Sequence, residues 1–194
     1  MSNSPMITDR ALVDKIISGD MQAFKLLIKQ NERLVAHMVS RLVDNPEDRE
    51  ELCQDVFLKV YQKLSGFNFQ SKLSTWIATI AYRHSVNYLK KKKIPIEGDI
   101  EQEEFQSRTH FVVHENPENL FSNKDLKDFM VQMVDKLPVQ YKTVVTLFHL
   151  EGMKLPEIEQ VTELPVNTIK SHLFRARKLL KEKLKLYLVK EELL

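Results

Sequence analysis

Two stretches of this 194-residue chain concentrate positive charge. From Lys170 to Lys185 seven Lys/Arg stand against one acid, Glu182; from Lys72 to Lys93 six Lys/Arg stand against none. Cations in rows attract phosphate, but the side chains around them decide what else can be recognised. In the second half of the chain the company is an amphipathic pattern. Ile169, Leu173, Ala176 and Leu180 make one apolar stripe, and Asn167, Thr168, Lys170, Ser171, His172, Phe174, Arg175 and Lys178 supply amides, hydroxyls, rings and charges around it. Just upstream, Leu155, Ile158 and Val161 repeat at helical spacing with Pro156 in the first turn, where a missing N–H is harmless. Thr162-Glu163-Leu164-Pro165 interrupts the pattern, because Pro165 fixes its own φ and pushes Leu164 out of the helical region. A short helix, a tight turn and a basic helix form the helix-turn-helix that enters a DNA major groove. The competing reading is a solvated amphipathic helix at a chain end, which would more often alternate Glu and Lys.

The company of the first basic run is different. Phe67, Asn68, Phe69, Gln70, Trp76, Tyr82 and Asn87 accompany Lys72, Arg83 and Lys90-Lys91-Lys92-Lys93. Cations beside stacking platforms suit unpaired nucleic acid. A lysine-rich helix end favoured by the helix dipole is the alternative, and physical chemistry alone leaves the two level.

Other chemistries lack their residues. The chain has no nucleophile–base pair, P-loop or Gly-rich phosphate cradle, so no catalytic residue and no cofactor is expected. His110 and His114 stand four apart, but no carboxylate or third His has matching spacing, so no metal site is expected either. Cys53 has no partner for an internal disulfide, which fits a reducing cytoplasm, and its neighbours Leu52 and Val56 make it a core thiol. No apolar run approaches the roughly 18 residues of a membrane span, and the N-terminus lacks a signal-peptide pattern. The expectation is a cytoplasmic protein with no direct membrane insertion.

The elements that must position the two basic surfaces are helices. Four Gly and seven Pro in the whole chain leave long uninterrupted periodic segments. A short helix on Leu12, Val13, Ile16 and Ile17 ends at Gly19; Asp20 caps a long one to about Val43 through Phe24, Leu27, Ile28, Val35, Met38, Val39 and Leu42. Asn45-Pro46 and an acidic first turn open a third, to about Leu64, and Ser74 is placed to cap a fourth over Thr75 to Lys92. Ser122 caps a helix carrying Leu126, Phe129, Met130, Met133 and Val134; Pro138 opens another with Val144, Val145, Leu147, Phe148 and Leu150, closed by Gly152. Charge divides the chain in three. Residues 1–93 hold 15 Lys/Arg and 10 Asp/Glu, residues 94–123 one and seven, residues 124–194 13 and 10. The expected architecture is all-α: two small helical domains, 1–93 and 124–194, joined by an acidic flexible linker, the C-terminal one a helix-turn-helix.

Two blocks in this order, DREELCQDVFLKVYQKLSGFNFQSKLSTWIATIAYRHSVNYLKKKK and LPVQYKTVVTLFHLEGMKLPEIEQVTELPVNTIKSHLFRARKLL, resemble the sigma subunits of bacterial RNA polymerase, above all the two-domain extracytoplasmic-function subfamily. The resemblance implies a promoter-specificity factor acting with the polymerase core, touching its clamp helices and flap. Asp48, Glu51, Leu52, Gln54, Asp55 and Phe57 match the core-binding helix. Asn68, Phe69, Gln70 and Lys72 match the loop that holds an unstacked base of the −10 element, with Trp76, Arg83, Asn87 and Lys90 along the opened strand. Asn167, Thr168, Lys170, Ser171, His172, Phe174, Arg175 and Lys178 match the surface that reads the −35 element as duplex. Promoter DNA is therefore an expected partner, and the subfamily leaves room for an anti-sigma factor. A stand-alone helix-turn-helix regulator is the alternative, although it would not need the aromatic loop. Three positions depart from the family pattern: Glu163 where the turn usually has Gly, Glu159 at a usually small position, and Thr162 at a usually apolar one. If Glu163 requires positive φ, the substitution costs roughly 1 kcal/mol.

Overall fold

The computed structural model describes residues 8–92 and 132–191, with side chains through Lys185. The acidic linker, His110 and His114, and the predicted cap at Ser122 lie outside the described residues. Within them every regular element is helical.

Helix α1 (Asp9–Ile17) starts where the Thr8 hydroxyl accepts the Ala11 N–H, and Gly19, at φ +96°, turns the chain. Asp20 then accepts from Gln22 and Ala23 at 2.9 and 3.1 Å and opens α2 (Met21–Leu42), as its position before the apolar stripe predicts. Helix α3 (Pro46–Lys63) begins with Pro46 at its first position and with Asn45 Oδ1 accepting from Glu47 and Asp48. A 3-10 turn, Leu64–Gly66, leads into the aromatic loop and α4 (Leu73–Lys91). Leu27, Val35, Met38, Val39, Val56, Val60, Leu64, Ile77 and Ala81 close the core of this unit.

The start of α4 differs from the sequence expectation. It begins at Leu73, so Ser74 lies inside the helix, and the Leu73 N–H donates 3.2 Å to the Asp9 carboxylate. An acid at the start of α1 caps a helix 64 residues away, which no local pattern could announce. Two stripe residues also turn outward: Ile17 and Leu150 are exposed.

In the second unit, helical residues 132–135 turn through Leu137-Pro138 into α5 (Val139–Val145). The helix widens into a π segment, Thr146–Leu150, closed by the Glu151 N–H on the Thr146 carbonyl at 3.0 Å and by Gly152 at φ +63°. Helices α6 (Leu155–Thr162) and α7 (Val166–Glu191) complete it. Val144, Leu147, Ile158, Val161, Ile169, Leu173 and Ala176 are buried between them.

The two units touch. Helix α2 packs on α5 and α4 packs on α6. At the first contact the buried Arg41 donates Nε–H to the Thr146 hydroxyl at 3.0 Å and pairs with Asp135, while His37 meets Glu151. The Lys142 ammonium is buried in the same place; its pKa is pushed down mainly by burial, partly offset by Asp44 and lowered further by Arg41 and Arg49.

Candidate nucleic-acid interface

Helix α7 presents two stripes. Ile169, His172, Leu173, Ala176 and Leu179 face inward at spacings of three and four, with Leu180 half-buried beside them. Asn167, Lys170, Ser171, Phe174, Arg175 and Lys178 repeat at the same spacing on the opposite face, and all six are exposed. Phe174 is 68% exposed. An aromatic ring left in water amid Lys, Arg and Asn marks a surface made for contact. Thr168 sits half-buried at its edge.

His172 lies beneath that surface. It is 6% exposed, meets the Tyr141 ring edge-on at 5.2 Å and lines the floor of a surface pocket with Asn167, Thr168, Ser171 and Arg175. The signal was present in the sequence, since His172 lies three residues after Ile169 and four before Ala176, on the apolar stripe.

The turn before α7 shows what the three unusual residues do. Glu163 adopts the left-handed conformation, φ 63° and ψ 12°, which an ordinary side chain tolerates at a cost of roughly 1 kcal/mol. The Glu159 carboxylate accepts the Val166 N–H at 3.1 Å, so the acid at a usually small position caps α7 at its positive end. Thr162 is buried with its hydroxyl satisfied, donating to the Ile158 carbonyl at 2.8 Å and accepting from the Leu164 N–H. At the far end of α6, Glu157 accepts the Lys154 N–H at 2.7 Å. Its carboxyl is held below the usual range first by that N–H and then by Lys72.

The second surface lies along α4. Lys72, Trp76, Arg83, Asn87 and Lys90 follow one another at spacings of four, seven, four and three, one stripe of a helix. Lys72, Arg83, Asn87 and Lys90 are exposed. Trp76 is half-buried against Phe67, their rings 5.2 Å apart, and Phe67 is itself a core residue that meets Phe69 at 4.7 Å. Phe69 holds φ +59°, uncommon for a bulky residue, with the Arg10 guanidinium 4.3 Å above its ring. Asn68 and Gln70 flank it in solvent, and Asn68 Oδ1 accepts the Gln70 N–H. The loop is thus a strained aromatic shelf between two exposed amides. The supporting residues from α1, Asp9 and Arg10, are absent from the sequence-derived set, because only the tertiary fold brings them there.

On α3 the six core-facing candidates separate. Glu51 and Gln54 are exposed, Asp55 is half-buried with His84 Nε2 at 3.2 Å, and Phe57 packs partly against the core. Leu52 is only 4% exposed and packs in the hydrophobic core. Asp48 ties the start of α3 to the end of α4: its carboxyl is lowered by the Tyr88 hydroxyl and Lys92, whose Nζ lies 2.9 Å away. The Lys92 ammonium is pushed up to about 12 by Tyr88 and Asp48. Cys53 is half-buried, and burial raises its thiol pKa, as expected of a core thiol.

The two surfaces fit known proteins in the same order. Residues 27–94 match the family model "Sigma-70 region 2" and residues 130–180 match "Sigma-70, region 4". Both regions on one chain define a transcription-initiation factor. The chain is 34% identical over 184 residues to the ECF RNA polymerase sigma-E factor of Escherichia coli K12, covering 93% of this chain and 96% of that one. It is 32% identical over 182 residues to the corresponding factor of Haemophilus influenzae, covering 92% and 96%. Among solved structures, the sigma factor RpoE of Bartonella quintana, in complex with the anti-sigma factor NepR, superposes with a TM-score of 0.62 at 22% identity, covering 84% of this chain and 96% of that chain. CnrH, in complex with the cytosolic domain of CnrY, gives 0.62 at 19%, covering 91% and 97%. These two show the shared helical fold. The chain belongs to the sigma-70 family, in its extracytoplasmic-function (ECF) group, and its function is to direct RNA polymerase core to promoters with −10 and −35 elements.

Proposed function

We propose that the two basic stripes divide promoter recognition between them. Asn167, Lys170, Ser171, Phe174, Arg175 and Lys178 read the −35 element from the major groove. Arg and Lys suit guanine O6 and N7, while Phe174 suits a thymine methyl. Asn68, Phe69 and Gln70 hold an unstacked −10 base, and Trp76, Asn87, Lys90 and the cations Lys72 and Arg83 follow its strand. Glu51, Gln54, Asp55 and Phe57 on α3 face the polymerase core. The observation that carries this reading is the exposed Asn-Lys-Ser-Phe-Arg-Lys stripe on α7, for which neither core packing nor solubility needs a 68% exposed phenylalanine.

The chain then has no active site of its own, and catalysis stays with the polymerase core. Either DNA surface is weak alone and becomes selective when the core fixes their separation, since a second contact made at high effective concentration multiplies the first. A cytoplasmic location follows from work on the polymerase core; among the described residues no helix is long and apolar enough to cross a membrane. RpoE of Bartonella quintana is held by the anti-sigma factor NepR, and a factor of that kind is a partner for this chain as well.

Reconstitution with core polymerase on a promoter library tests the assignment. Lys170→Ala or Arg175→Ala reduces promoter-specific initiation by about tenfold, within the 1–3 kcal/mol of one good base contact, and leaves core binding intact. Equal loss of both activities would remove α7 from the recognition role.

A further inference from the structure

Helix α1 is short, and Leu12, Val13 and Ile16 tie it to the core of the N-terminal unit. Its first turn has a different task. The Asp9 carboxylate accepts the Leu73 N–H at 3.2 Å, and the same helix packs on the 3-10 turn Leu64–Gly66. Those two places are the exit and the entry of the aromatic loop, so α1 braces the loop at both ends. Arg10, the next residue, is exposed, and its guanidinium stands 4.3 Å above the Phe69 ring.

Arg10 extends a row of flat groups. The rings of Trp76 and Phe67 are 5.2 Å apart, those of Phe67 and Phe69 4.7 Å, and the guanidinium follows. Exposure rises along the row from Phe67, which is buried, through half-buried Phe69 to Arg10. Phe69 keeps φ +59°, which a bulky residue holds only where its surroundings impose it, and the ring it carries is the one beneath Arg10. Among the described residues Arg10 meets no carboxylate at ion-pair distance, so no acid takes up its N–H donors.

We infer that Arg10 is a further contact to the opened −10 strand: the unstacked base continues the row, lying on the outer face of the Arg10 guanidinium while Asn68 and Gln70 reach its edge. The inference rests on the assignment of Asn68, Phe69 and Gln70 to that base. A guanidinium plane accepts a base on its face as an aromatic ring does, and its charge attracts the strand's phosphates as well. Lysine would keep the charge and lose the plane. Stacking tolerates every base, so Arg10 contributes affinity and the two amides contribute choice. The site is formed before the base arrives, because Arg10 stands on a helix fixed by Asp9 and three buried side chains.

The test uses holoenzyme, the full chain with core polymerase, on fork DNA from a promoter selected out of the library. The fork carries a duplex −35 element and a single-stranded −10 element. Arg10→Ala weakens fork binding about tenfold, the size of one base-stacking contact. It leaves affinity for core, and for duplex carrying the −35 element alone, unchanged. Arg10→Lys recovers little of the loss. Abasic nucleotides placed one at a time along the −10 strand locate the partner: at one position, removing the base erases the difference between Arg10 and Arg10→Ala. A difference that persists at every abasic position, or full recovery in Arg10→Lys, would reduce Arg10 to a general attraction for phosphate and overturn the stack. No loss in Arg10→Ala would overturn the contact itself. Asn68→Ala with Gln70→Ala separates this failure from that of the functional assignment. Weaker fork binding there keeps the loop at the −10 base whatever Arg10 does, and unchanged binding removes the assignment and the Arg10 contact together.

Discussion

The stripes on α4 and α7 are close in chemistry and opposite in circumstance. Both set Lys and Arg beside an amide and an aromatic at helical spacing. On α7 the aromatic, Phe174, stands in solvent and the charges surround it; on α4 the aromatic, Trp76, leans into the core and two of the charges lie under carboxylates from the other unit. The difference suits their targets. A duplex offers its groove edges ready-made, so a reader can wait exposed. An unpaired strand exists only after melting, and a surface of cations with a strained aromatic shelf, left open, would take any single strand that passed.

The comparison breaks most easily at the core of one side. Ile169→Ala empties a fully buried site and destabilises the C-terminal unit by about 2–5 kcal/mol. Denaturation followed by circular dichroism shows the loss, −35 duplex binding falls with it, and the helices of residues 8–92 survive. A smaller effect sharpens the inner and outer stripes of α7. Phe174→Ala lowers affinity for −35 duplex by about tenfold, close to 1.4 kcal/mol, whereas His172→Leu, an apolar replacement at a buried position, leaves affinity within about twofold if the fold is kept. Titration of labelled duplex distinguishes them, and a large loss from His172→Leu would return that residue to the DNA surface.

Smaller again is the response to pH. Glu157 has a folded pKa below the ordinary glutamate range, first through the Lys154 N–H and second through Lys72. Its stabilising contribution is therefore full above the ordinary range and is lost as pH falls through the lowered value. The Lys154 share belongs to α6 alone, and only the Lys72 share bears on the contact between the two units. Denaturation at falling pH shows stability declining below the ordinary glutamate range, and Glu157→Gln removes the share of that decline due to Glu157. The least effect is expected from Glu163→Gly. Relief of the left-handed backbone contributes roughly 1 kcal/mol to the C-terminal unit, while loss of the exposed Arg83 pair offsets only part of it. A slightly raised melting temperature is the expected outcome.

Much of this fold was legible because helices announce themselves locally. Asp20 and Asn45-Pro46 cap helices from the positions that their spacing predicts, and the apolar stripes of α2 and α7 match the buried faces. The HTH turn was equally readable, since Pro165 cannot continue a helix. What escaped depends on distant residues. Nothing near Leu73 says that Asp9 will cap it, and nothing near Lys72 or Arg83 says that Glu157 and Glu163 will sit on them. Leu52 and His172 are a different case. Both fall on their helix's apolar spacing, and both are buried.

The π segment Thr146–Leu150 fits one more residue into a helical turn than the α form would hold, and each residue of an α-helix advances the chain by about 100°. Deleting one residue from it would let the backbone wind regularly, at the expense of swinging everything downstream about the axis. Glu151 would swing off His37 and the turn that bears Glu163 would no longer aim at Arg83. A single-codon deletion could thus re-phase the two halves of the molecule while leaving every helix intact.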